Sequence, residues 1–334
     1  MDEEKIEGVG GLLSQPPDSR DALYGAFEEI GVFPESFELP RLGGIRYQGT
    51  KPSCVYQSIA RIQDYANNIE CDTSQISARY GYAYCKLWDG IPELEGTFFT
   101  TGLSVAIKMG TALTAKWADD WTLPVAEYLA KPSLIADQSA EPFKIKGYIQ
   151  LSSPDQVKDY ITKFGLPVLM GINSNGTGWN QSVIQAHDWV LQEPTGALLG
   201  HAVVCVGWEP RGWIFENSWH ESWGDKGRAI VPYNYSGLQN SFLGVYDLPN
   251  NWKELNEEYK NMVNAGNING LLKSITGLDD NFIYARPAVA PLNSGNQAEV
   301  DRIMKPIRDK YLSGGSNESE EQFKQRAINA IQNL

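Results

Sequence analysis

The chain has 334 residues, 42% of them apolar and 21% charged, with a formal charge of −13. That suits a globular protein with a real core, while the acidic balance excludes nucleic acid as the main partner, because phosphate binding needs a basic surface. Four cysteines without CxxC spacing and only three histidines exclude a disulfide scaffold and argue against a zinc site.

The start, Met1-Asp2-Glu3-Glu4, is acidic where a secretory signal would be basic, and no apolar run of about 18 residues is available to span a membrane. The expected location is cytoplasmic at synthesis, with no membrane partner. Residues 1–45 carry Gly8-Val9-Gly10-Gly11 and Gln15-Pro16-Pro17-Asp18, with one short amphipathic piece at 22–30. This reads as an arm that wraps a domain. From Ser53, the apolar residues Val55, Ile59, Ile62 and Ala66 recur at helical spacing. Thr73 or Ser74 is placed to cap a second helix ending near Lys86, and a third helix over 101–109 stops at Gly110.

Strands are expected over 143–151 and 166–172 with a helix at 154–164 between them. Further β-rich pieces follow at 202–208, 212–216 and 227–231. Helices first and strands after them predict an α+β fold of two lobes with a cleft between. Beyond 248 the pattern reverts to helix, at 251–265, 268–275, 297–312 and 318–331, so 249–334 is expected to be a helical C-terminal extension. Its amphipathic faces, with Trp252, Leu255 and Tyr259 on one and Val300, Ile303 and Ile307 on another, need a surface to bury against. That surface is expected to be either the preceding domain, whose cleft the helices would cover, or a protein partner or larger assembly.

Three segments carry chemistry. In Gln48-Gly49-Thr50-Lys51-Pro52-Ser53-Cys54, a cysteine opens a helix, where the helix dipole and unpaired N–H groups favour the reactive thiolate. The glycine turn lets an upstream side-chain amide and the Cys54 N–H converge on one oxyanion. The second segment places His201 at the head of an apolar strand, Gly200-His201-Ala202-Val203-Val204-Cys205-Val206-Gly207-Trp208. The third is Asn217-Ser218-Trp219-His220-Glu221-Ser222-Trp223-Gly224-Asp225-Lys226-Gly227. Each segment alone has a structural reading: a buried thiol, a core histidine, a packed turn.

Together, in this order, they resemble the papain family of cysteine peptidases. Gln48 precedes Cys54 by six residues and Asn217 follows His201 by sixteen. The resemblance runs from about residue 15 to 248 and puts the peptidase domain at 46–248. It implies a helical left lobe, a β-barrel-like right lobe and a cleft between. It further implies Cys54 as nucleophile, His201 as base, Asn217 as its orienter and Gln48 in the oxyanion hole, with Trp219 shielding the His201–Asn217 bond. Gly96 and Thr97 take the places of residues that hydrogen-bond substrate backbone, and Phe98 and Phe99 those that line an apolar pocket. The implied reaction is hydrolysis of a peptide or protein with no cofactor and no metal.

The chain departs from the family pattern at several places. Val55 follows the nucleophile where Trp or Tyr is usual, and His220 replaces a glycine. Lys51 and Leu94 stand at the two ends of a common disulfide. At most one disulfide is expected, with Cys71–Cys85 the only pair considered. Only about 45 residues precede the Gln48 region, so self-inhibition by a long helical propeptide is not expected. Two alternatives remain open on the residues: a papain-fold structural or binding component of an assembly, viral particles included, and acyl transfer to an acceptor other than water.

Overall fold

The computed structural model describes residues 10–14, 33–69, 72, 74–174, 177–193 and 198–247. The piece at 22–30, the cap at Thr73, Cys71 and the extension at 249–334 lie outside the described residues. Among the described residues no helix is long and apolar enough to cross a membrane.

The first helix, α1 (Cys54–Ile69), follows the expected spacing but is buried on nearly every side. A helix so enclosed must satisfy its own polar side chains. Gln63 donates to the Phe143 carbonyl at 2.8 Å, and Arg61 pairs with the Glu216 carboxylate. The second helix, α2 (Ala78–Trp88), begins later than Thr73 or Ser74 would have it. Ser77 caps it by accepting the Tyr80 N–H, and the Asp119 carboxylate takes the N–H groups of Ala78 and Arg79, both at 3.1 Å. Ser74 instead gives its N–H to Asp72 in a local turn. In α3 (Phe99–Lys108) the chain leaves the helix at Gly110, whose φ of 78° glycine adopts without strain. Glycines bring the three helices close: the Tyr56 ring lies where a side chain on Gly81 would sit, and Val55 and Ile59 press on Gly102.

Two short helices, α4 (Val125–Tyr128) and α5 (Leu134–Ala140), lead to an antiparallel sheet. Its strands are β1 (Phe37–Glu38), β2 (Ile145–Leu151), β3 (Val168–Ser174), β4 (Leu199–Glu209), β5 (Gly212–Glu216), β6 (Arg228–Pro232) and β7 (Leu238–Asp247). Helix α6 (Pro154–Phe164) joins β2 to β3, and α7 (Gln181–Ala186) lies between β3 and β4. The sheet order is β2-β7-β3-β4-β5-β6, with β1 added alongside β4. Strand β2 alternates buried and half-buried residues, as an edge does, whereas the central β4 is buried along most of its length.

The expected barrel does not close. The outer side of β6 is occupied by residues 189–191: Ile230 donates to the Trp189 carbonyl and accepts the Leu191 N–H, both at 2.8 Å. With those groups taken, β6 has no free edge at Ile230 to offer β2. The α+β class stands, with an open sheet in place of a barrel.

Candidate active site

Cys54 is the first residue of α1, and its thiol reaches across to β4, where the Ala202 N–H hydrogen-bonds it. Register places His201 opposite Ile172 of β3, one residue before that contact. His201 Nε2 lies 2.8 Å from Asn217 Oδ1. The same oxygen accepts the Ser218 N–H at 2.8 Å, so the amide oxygen faces the ring and Nε2 carries the proton. Nδ1 is buried without a partner and is left to take a second proton.

Gln48 is held at both ends of its amide. Its Nε2 donates to the Lys51 carbonyl at 2.8 Å, and its Oε1 accepts from Ser218 Oγ at 2.7 Å. The backbone adds Gln48 N–H to Ser218 O at 3.0 Å and a bridge between Tyr47 and Trp219. Gly49, at φ 56°, leaves room for the Trp121 ring directly above it. Gln48 and the segment after Asn217 are thus zipped together across the two halves of the domain.

Trp219 lies beside the imidazole, ring centroids 4.9 Å apart, and is 3% exposed. Trp179 meets the same imidazole edge-on at 5.7 Å and was not singled out in the sequence. Its Nε1 donates to Tyr235 Oη and its carbonyl accepts from Trp223 Nε1. Only its setting, Gly178-Trp179 in a loop after a strand, could have suggested it. His220 adopts the left-handed conformation, φ 73°, that a glycine would take freely. Its Nδ1 accepts the Ser222 N–H and its ring packs edge-on to Tyr47, which offsets a strain on the order of 1–2 kcal/mol.

A buried ionic network backs the site. Glu216, next to Asn217, is shared by Arg61 of α1 and Arg228 of β6. Arg228 also bonds the Tyr65 hydroxyl at 2.7 Å, the Leu39 carbonyl at 3.0 Å and the Glu38 carboxylate. Every charge is paired and hydrogen-bonded, the condition under which buried ions are tolerated. The Asn217 N–H is fixed separately by Gly227 O at 2.9 Å.

The substrate-side residues are placed as follows. Thr97 presents its backbone to residues 10–13 of the arm, here called the strap. Thr97 N–H donates to Gly11 O at 2.8 Å, and Leu13 N–H donates to Thr97 O at 3.0 Å. On the opposite side, Gly11 and Leu12 N–H groups both donate to Gly200 O, at 2.9 and 3.0 Å. Gly96 (φ 83°), Gly11 and Gly200 all lack room for a Cβ because the strap runs so close. The Leu12 side chain is buried between Phe99 and Gly171. Phe98 is half-buried at the N-cap position of α3. An arm that only wraps the domain does not describe residues 10–13, which run between Thr97 and the residue before His201.

With the strap in place Cys54 and His201 have no exposed surface. Burial pushes the thiol up to about 12 from 9.0, against the opposing N–H groups of Ala202 and Val55. Burial lowers the His201 imidazole from 6.5 to about 4, against the Asn217 bond that raises it. A thiolate at neutral pH, expected from the helix start, is therefore not the species in this closed arrangement: excluding water from the thiol outweighs the helix terminus. Cys54, Cys85 and Cys205 are free thiols. At the places of the absent disulfide, Lys51 Nζ bonds Leu123 O at 2.7 Å and Leu94 is exposed.

Comparison with known proteins gives a match to the model of the papain family of cysteine proteases over residues 113–241. That span includes His201 and Asn217; Gln48 and Cys54 precede it. No curated protein matches the chain. Among solved structures, it is similar to xylellain, a cysteine protease from Xylella fastidiosa, at 22% identity over 74% of this chain and 99% of that one, with a TM-score of 0.63. It is also similar to procathepsin B S9 from Trypanosoma congolense, at 18% identity over 71% and 85% of the two chains, TM-score 0.56. A third is procathepsin L 3 of Tenebrio molitor larval midgut, at 15% identity over 71% and 75%, TM-score 0.51. At these identities the solved structures establish the fold.

Proposed function

We propose, from the match to the papain-family model over residues 113–241, that this chain is a papain-like peptidase that hydrolyses peptide bonds through Cys54, His201, Asn217 and Gln48 and is held latent by the strap. The observation that carries this reading is the meeting of two elements. The thiol at the start of α1 touches β4 beside His201, whose ring is oriented by Asn217. In the open enzyme the thiol passes its proton to Nδ1 of His201 and attacks the scissile carbonyl. Gln48 Nε2 and the Cys54 N–H stabilise the oxyanion. His201 then protonates the leaving amine and later activates the water that frees the acyl group. Peptides or proteins are the substrates, with Thr97 as their backbone partner. The test is cleavage of a fluorogenic peptide after the strap has been displaced, by the parent protein and by Cys54→Ala. A Cys54→Ala protein as active as its parent would sink the assignment.

Opening moves a proton within the pair and takes none up. In the closed form burial keeps the Cys54 thiol protonated and the His201 imidazole neutral. In the open thiolate–imidazolium pair the same single proton sits on Nδ1 of His201, so the two forms bind equal numbers of protons. Strap opening should therefore change little between pH 7 and 5. Amide exchange of Gly11, Leu12, Leu13 and Thr97, corrected for intrinsic rates, measures this directly. Protection that falls steeply towards pH 5 would contradict it.

A further inference from the structure

Gly96 has both of its backbone polar groups tied to one face of α2. Its N–H donates to the Tyr82 hydroxyl at 3.1 Å, and its carbonyl accepts from Lys86 Nζ at 3.0 Å. Tyr82 and Lys86 are four residues apart, so they stack on the same side of the helix. Lys86 has no donor to spare: its other two bonds go to the Ile91 carbonyl at 3.0 Å and the Asp89 carboxylate at 2.7 Å. The Asp89 side chain is buried and its second oxygen accepts the Ile91 N–H at 3.1 Å. A lysine this deeply buried is rare unless paired, and its bonds here all converge on the loop between α2 and Gly96.

We propose that Tyr82 and Lys86 are positioning residues for the substrate backbone: they clamp Gly96 from behind so that the next peptide, at Thr97, turns its N–H and carbonyl towards the cleft. Gly96 lies against the strap with its Cα side, but both its polar groups point to α2 and offer the cleft no hydrogen bond. The Thr97 groups are thereby left to pair with an extended chain, the role the strap now fills. The clamp should therefore set the grip on the strap in the latent form and on peptide substrate in the open form. This second half rests on the peptidase reading; the first does not.

The test compares Lys86→Met, Lys86→Arg and Tyr82→Phe with the parent protein. Tyr82→Phe removes a single acceptor and keeps the proposal testable should Lys86→Met fail to fold. In the full chain at pH 7, Lys86→Met and Tyr82→Phe should alkylate Cys54 several-fold to tenfold faster, with Cys205 on β4 unchanged. Lys86→Arg should restore the parent rate. In strap-displaced protein the same two variants should raise KM for a tetrapeptide amide several-fold at similar kcat. They should leave kcat/KM unchanged for a small N-acylglycine ester that stops short of Thr97. Faster alkylation of Cys205 in step with Cys54 would mean general loosening and overturn the proposal, as would unchanged Cys54 labelling. Equal losses on peptide and ester would overturn it too. If the parent cleaves neither substrate, the peptidase reading fails while the alkylation comparison still decides the clamp.

Discussion

His201→Ala should lower kcat/KM on a peptide substrate by about ten-thousandfold, measured in protein whose strap has been displaced. General acid–base catalysis by a positioned side chain is worth roughly a hundred- to ten-thousandfold, and His201 is asked for more than one proton transfer. In the proposed mechanism it takes the thiol proton, gives it to the leaving amine and then activates water. No other imidazole stands in for it, because His187 and His220 make their own local contacts on the surface. Asn217→Ala should cost less, about ten- to a hundredfold, because the amide orients the ring without exchanging a proton. Trp219 and Trp179 would still confine the imidazole after that change. The two losses should not add in the double variant, since the orienter has nothing to orient once the base is gone. Turnover that survives His201→Ala unchanged would show that the base lies elsewhere.

How far the fold was legible depends on where each signal sits in the chain. Helix α6 and strand β5 fall where the sequence puts them, because Pro154, a Gly165 C-cap and the Gly212 turn are local signals. The start of α2 is not legible, because half its cap comes from Asp119, about forty residues away. Strand β7 lacks alternation: Gly244 interrupts it, and the Tyr160 ring fills the space a side chain would need. The Cys54, His201, Asn217 and Gln48 constellation is readable because each member sits in a short segment with its own Gly or Trp context. What the sequence hides is who else touches them. Trp179 and the Arg61–Glu216–Arg228 network reach the site only through the fold. The strap is the clearest case. Gly10-Gly11-Leu12-Leu13 has neither helical nor strand periodicity, and its partners Thr97 and Gly200 lie far along the chain.

Disrupting that strap should produce the other large effect. The double change Gly11→Ala, Leu12→Asp should speed alkylation of Cys54 at pH 7 by about a hundredfold or more, with Cys85 and Cys205 unchanged. Two independent terms drive it. A Cβ on Gly11 would fall 2.2 Å from the Pro52 carbonyl oxygen, which is backbone and cannot swing aside. Replacing Leu12 forfeits the roughly 2 kcal/mol that burying a leucine supplies, and would force a carboxylate between Phe99 and Gly171. A hundredfold shift in the opening equilibrium needs only about 2.7 kcal/mol, which these terms exceed together. Once open, Cys54 and His201 regain water and the charged thiolate–imidazolium pair becomes accessible, so peptide turnover should rise in parallel with labelling. The domain itself should stay folded, because its helices and sheet close their own backbone hydrogen bonds without residues 10–13. Unchanged labelling of Cys54 in a folded double variant would mean that the strap does not guard the thiol. Faster labelling without any peptide cleavage would keep the strap as the cover and remove the peptidase, because the guarded cysteine would then be reactive but not catalytic.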